Sequence, residues 1–245
     1  MNRFRLLYHS LLGKKAIVAV TGAMMLGFLV LHVIGNLKAF LPEVAMGVPD
    51  IDSYAHFLRT MGEPILPYGV ALWTVRIALG LALVLHVVCV VQLASSSRRA
   101  RPVAYESPDY AEATSSARWM LYTGAGLLAF LVFHLLQFTT GSIDPSRFVE
   151  GGVYTNLFRA FQHWYYVLLY LAVMGILALH LYHGIWSLFQ SLGVDNPDRN
   201  RGLRRMAVIV ALGLAFAFGA VPAAFFGGAM SPPPISTGDS NESRS

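Results

Sequence analysis

Four histidines, His32, His86, His134 and His180, each lie within an apolar run long enough to cross a membrane. An imidazole in hydrocarbon has no water to bond, and an unpaired polar group there costs free energy. Three kinds of chemistry would account for it: a hydrogen bond between helices, a proton relay, or ligation of a metal. The densest stretch is Leu179-His180-Leu181-Tyr182-His183-Gly184-Ile185-Trp186, near the end of a run from about His163 to Gln190. It places His180 and His183 on one apolar segment.

The elements that carry these residues follow from composition. The 245 residues are 56% hydrophobic and 13% charged, against about 25% charged for a soluble domain. The mean hydropathy is +0.55. An all-α integral membrane protein is predicted. The net charge is +5 and the pI about 9.5, but the basic residues cluster at the ends of apolar runs, as topology signals do, which argues against nucleic acid. Cys89 is the single cysteine, so no internal disulfide, CxxC pair or iron–sulfur site can form within the chain. A cleaved signal peptide is not expected, because the first apolar run is too long.

Five spans are predicted, near 16–37, 69–94, 118–138, 163–190 and 206–226, each about the 20 residues that cross the hydrocarbon core. Residues 1–15 form a basic, amphipathic cytoplasmic lead-in with Arg3, Arg5, Lys14 and Lys15. Residues 16–230 are the five-helix domain, and 231–245 are a Ser/Pro-rich tail with the composition of a disordered segment. Between spans one and two, four prolines oppose a continuous helix, although 51–61 could form a short surface helix. The linkers 95–102 and 195–205 are basic; those at 38–67 and 139–156 are not. Lysines and arginines concentrate on the cytoplasmic side. The N-terminus is therefore expected in the cytoplasm, the C-terminus outside, and the chain in the inner (cytoplasmic) membrane.

Direction turns these positions into depths. Spans one and three run outward, and His32 and His134 come 16 residues after Ala16 and Arg118, about 24 Å from the inner end. Spans two and four run inward, and their histidines also come late, which puts His86 and His180 nearer the cytoplasm. Two layers result: His32 with His134 outside, His86 with His180 inside. Two stacked b-type haems with two imidazoles each require this arrangement, with the ligands of each iron on facing helices. Four of the five helices would then form the haem-binding bundle. Gly22, Gly27, Gly35, Gly80, Gly124, Gly126, Gly175 and Gly184 could admit a flat macrocycle or serve ordinary helix packing. A zinc site would need three close ligands, and copper is not favoured by pairing in separate layers.

These stretches resemble a known family: the cytochrome b subunit of succinate dehydrogenase/fumarate reductase in its five-helix, two-haem b558 form. The likeness runs from Ser10 to Lys15 and Thr21-Gly22, through Leu31-His32-Val33-Ile34-Gly35-Asn36-Leu37. It continues with His86 and the segment from Ala100 to Tyr105, and with Phe133-His134-Leu135. Its most specific part runs from His180 to Gly193. The resemblance covers about residues 8–226. It implies a membrane anchor for a flavoprotein subunit and an iron–sulfur subunit on the cytoplasmic face of respiratory complex II. Electrons from succinate would reach a quinone, menaquinone or ubiquinone, through two haem b groups. The family's pairing matches the depth argument: His86 and His180 for the inner iron, His32 and His134 for the outer. The chain itself lacks a flavin fingerprint, a dicarboxylate site and cluster cysteines, so it would be a non-catalytic-site subunit of the enzyme. Some di-haem fumarate reductases carry a glutamate two residues before the fourth ligand; here it is Ala178, which favours succinate oxidation.

Other residues fit both a cofactor and a plainer role. Arg76, Arg118 and Trp119 could meet haem propionates or anchor the helices at the interface. His183 could contact a propionate or quinone, or bond a neighbouring helix. His163 could line a quinone site or belong to an aromatic belt with Trp164, Tyr165 and Tyr166. Two other functions compete: the cytochrome b anchor of another quinone-linked dehydrogenase or hydrogenase, and a haem-free membrane protein with histidine relays.

Overall fold

The computed structural model of the chain describes residues 10–99, 111–191, 193 and 197–233, with backbone alone over 111–118 and 197–199. Among the described residues seven α-helices follow one another: α1 (Leu11–Leu37), α2 (Asp50–Thr60), α3 (Val70–Arg99), α4 (Ala111–Phe138), α5 (Val153–Phe161), α6 (Trp164–Ser191) and α7 (Pro197–Phe226). A 3₁₀ turn, Lys38–Phe40, follows α1. Helices α1, α3, α4, α6 and α7 are long and apolar enough to cross a membrane. The chain is an all-α, multi-pass membrane protein, as the apolar runs predict.

The ends of the spans differ from the sequence expectation, each for a local reason. Helix α1 begins at Leu11, inside the predicted lead-in, because Ser10 Oγ accepts from Gly13 N at 2.9 Å and caps the first turn. Residues 1–9 of that lead-in lie outside the described residues. Helix α3 continues through Ser95 to Arg99, where Arg98 and Arg99 in the last turn suit the negative end of the helix dipole. The rest of that basic linker, 100–102, lies outside the described residues. Helix α7 starts at Pro197, within the predicted loop; a proline is tolerated at a first helical position, whose N–H has no intrahelical partner. Of the tail, 234–245 lies outside the described residues.

The connection after α1 contains α2, one residue from its predicted start. The connection after α4 holds a helix the sequence does not announce, α5, entered through Gly152 with no side-chain cap of its own residue. Its cap comes from α2: Asp52 Oδ1 accepts from Tyr154 N at 2.9 Å. Helix α2 is tied back by the Lys38–Asp50 ion pair at 2.7 Å. It also rests on α1 at Gly35, where a Cβ would come within 2.8 Å of the Tyr54 ring.

The spans form two antiparallel hairpins, α1 with α3 and α4 with α6. Helix α7 packs along α6 and also touches α1, joining the hairpins. Its Ala207 and Ala211 are buried with Leu177, Leu181 and Ile185 of α6, small residues letting the backbones approach. A second core, around Tyr154, Phe161, Tyr170 and Phe225, closes the end that holds α2 and α5. Among the described residues, α1 has no comparable backbone packing against α4, nor α3 against α6. Those are the helix pairs that carry the paired histidines.

Candidate functional site

The outer pair meets. The rings of His32 on α1 and His134 on α4 lie 6.0 Å apart, centre to centre, at 84°. Two imidazoles on opposite sides of one metal, with metal–nitrogen bonds of about 2.0 Å, would have ring centres about 6.4 Å apart. Each ring has a phenylalanine one turn before it on the same helix: Phe28 stacks on His32 at 5.2 Å and Phe130 lies 5.8 Å from His134. Phe218 of α7 closes over His32 at 5.6 Å. His134 Nδ1 lies 3.1 Å from Tyr170 Oη, whose own proton goes to Gln137 Oε1 at 2.7 Å.

The inner histidines are held from the neighbouring helix of their own hairpin. His86 Nδ1 lies 3.1 Å from Thr21 Oγ1, and His180 Nδ1 lies 3.1 Å from Thr123 Oγ1. Both threonines are buried, 4% and 8% exposed. Beside them, Gly22 and Gly124 face the same rings: a Cβ on either would come to 3.4 Å of the imidazole Cε1.

The hydrogen bonds fix a tautomer. A hydroxyl has one proton to give. Thr21 gives its proton to Ile17 O at 2.7 Å, and Thr123 to Trp119 O at 2.9 Å. Tyr170 gives its proton to Gln137. In all three cases the imidazole must be the donor, through Nδ1–H. His86, His134 and His180 therefore present a bare Nε2 lone pair. A neutral imidazole bound by one nitrogen and donating from the other is the ordinary form of a metal-ligating histidine. No group of three or more His, Cys, Asp or Glu side chains that could hold a metal gathers among the described residues.

The remaining sequence candidates scatter. His183 is half-buried one turn beyond His180. Trp119 is 66% exposed and packs edge-on with Tyr122. Arg76 is exposed, its guanidinium 5.0 Å over the Trp73 ring. The Arg118 side chain lies outside the described residues. His163 stacks on Tyr165 at 5.3 Å and lines a shallow cavity with Gln137, Arg147, Arg159 and Tyr166. Of the glycines, Gly22 and Gly124 touch inner imidazoles, Gly35 faces Tyr54, and Gly27, Gly80, Gly175 and Gly184 have nothing within 4 Å of a Cβ.

Sequence reasoning gave Thr21 no role and passed over Thr123, Tyr170 and Gln137. A signal was present. Residues 21–32 and 123–134 align without a gap, agreeing at Thr21/Thr123, Gly22/Gly124, Ala23/Ala125, Leu26/Leu128, Phe28/Phe130, Leu29/Leu131, Val30/Val132 and His32/His134. Both hairpins thus begin with the same Thr-Gly…His helix, and both have a short helix, α2 or α5, before the second span. No family profile, curated protein or solved structure matches the chain.

Proposed function

We propose that the chain is the haem-bearing membrane anchor of a succinate:quinone oxidoreductase. His86 and His180 hold an inner b haem, and His32 and His134 an outer one. The observation that carries this reading is the His32–His134 pair, its rings 6.0 Å apart, together with the three imidazoles, of His86, His134 and His180, whose Nδ1 meets a hydroxyl and leaves Nε2 bare. Among the described residues the helices bearing each pair have no close backbone packing comparable to that within the hairpins, which leaves room for a flat group between them. When bound, the haems supply one-electron carriers between an iron–sulfur subunit on the cytoplasmic face and a quinone in the membrane. The chain's own part is to hold the imidazoles in register, pack Phe28, Phe130 and Phe218 against the His32–His134 pair, and set the distance between the layers. Orientation follows the basic residues: the ends bearing Lys14, Lys15, Arg98, Arg99, Arg204 and Arg205 face the cytoplasm.

The test is a haem count on the complex purified from membranes. Two low-spin b haems per copy of this chain are expected, with flavoprotein and iron–sulfur subunits co-purifying. His180→Ala and His32→Ala should each remove one haem, and a different one. A chain without an α-band on reduction, or full haem retention in both variants, would refute the assignment. Co-purification of different soluble subunits would keep the haems and move the anchor to another quinone-linked enzyme.

A further inference from the structure

We propose that Thr21 and Thr123 are the positioning residues of the inner metal centre, and that the eleven-residue Thr…His spacing in α1 and α4 sets the separation of the two centres. The inference rests on the haem reading and deepens it. Neither residue belongs to a helix that supplies an inner ligand: the inner imidazoles come from α3 and α6, and their acceptors from α1 and α4.

Three observations carry it. First, each hydroxyl is already committed to its own helix, through Ile17 O and Val18 O for Thr21 and Trp119 O and Met120 O for Thr123. The Thr oxygen can therefore only accept from the imidazole, and the His86 ring also reaches the Val18 carbonyl, so the Thr123–His180 contact is the simpler of the two. Second, the contact occurs twice at the same 3.1 Å and on the same ring nitrogen, each time beside a glycine on which a Cβ would just touch the ring, at 3.4 Å. Third, eleven residues separate Thr21 from His32 and Thr123 from His134, about three turns of helix. Threonine and histidine then share one face, about 16 Å apart along the axis. One stripe of α1 and one of α4 thereby fix an outer ligand and the acceptor for an inner ligand together.

The chemical consequence has a sign. An Nδ1–H bonded to an oxygen makes the imidazole a stronger donor through Nε2, which favours the oxidised, more positive metal. Losing the acceptor weakens the ligand and raises the midpoint potential. A threonine that merely bonds its own backbone, as is common in apolar helices, would leave that potential unchanged.

The experiment is a redox titration of both haems, with haem stoichiometry, on the complex carrying Thr21→Val, Thr123→Val and the corresponding serine variants. Valine keeps the shape and removes the hydroxyl; serine restores it. Each valine variant should raise the inner potential and weaken inner haem retention by about 10- to 100-fold. The outer haem should titrate as before, and serine should bring the inner one back. If a valine chain does not accumulate, Thr→Ala is read in the same way. Valine or alanine variants whose inner haem titrates like the parent, or a shift that serine does not reverse, would overturn the proposal while leaving two haems in place. A parent complex without haem would overturn the underlying reading as well.

Discussion

Tyr170 shows how much one side chain holds at the outer layer. Its hydroxyl accepts from His134 Nδ1 at 3.1 Å and donates to Gln137 Oε1 at 2.7 Å, in a buried network among Phe130, Phe138 and Phe161. The inner layer uses threonine hydroxyls tied to their own helices; the outer uses a phenol tied to a glutamine only 8% exposed. Tyr170→Phe fills nearly the same space but strands two buried polar groups, His134 Nδ1–H and Gln137 Oε1. Leaving such groups unpaired costs about 1–3 kcal/mol. The variant is expected to unfold at lower temperature and to change the spectrum of the outer centre alone. Thermal unfolding followed by absorbance, with a redox titration, checks both. An unchanged outer centre would mean that the phenol only fills space.

Helices α2 and α5 are where a single hydrogen bond organises an element. Asp52 reaches across from α2 to cap α5 through Tyr154 N. Burial raises its carboxyl above the ordinary 3.8, and the Tyr154 and Val153 backbone N–H groups pull it partly back. A carboxyl raised on folding binds its proton more tightly in the folded chain. Its contribution is thus fully present below 3.8 and is lost as pH rises through the raised value. Asp52→Asn keeps an oxygen for Tyr154 N without a charge to desolvate. It should be at least as stable as the parent at neutral pH and should lose this pH dependence in melts between acid and neutral pH. Asp52→Ala removes the cap and should cost about 1 kcal/mol. An asparagine variant melting like the alanine variant would contradict this account. The same elements show where sequence is a weak guide. The five spans were legible because an unbroken apolar run has few other uses. Helix α5 was not, since its cap comes from a residue about a hundred positions earlier. The extra turns of α3 and α7 were hidden because serine, arginine and proline read as loop until their helix ends are seen.

At the scale of the whole molecule, the chain is a helix hairpin used twice, with α7 as the seam. The imidazoles were legible in the sequence because charge-bearing groups are rare in apolar runs, and direction of travel gave their depths. Their hydroxyl partners were not, since a threonine in an apolar helix is ordinary until its neighbour is known. Orientation is the one property that both the function and the inner/outer labels depend on. The end holding Lys14, Lys15, Arg98, Arg99, Arg201, Arg204 and Arg205 is denser in basic residues than the end holding α2 and α5, and the proposal that it faces the cytoplasm rests on that excess. Ser97 is exposed near the end of α3, and Ser146 is exposed in the connection after α4. Cys89 is fully buried, so it should not react with a bulky aqueous thiol reagent. In intact cells, Ser146→Cys should label with a membrane-impermeant maleimide, and Ser97→Cys only after the membrane is opened. The reverse pattern would place the His86–His180 layer on the outer side and exclude a cytoplasmic electron donor docking next to it.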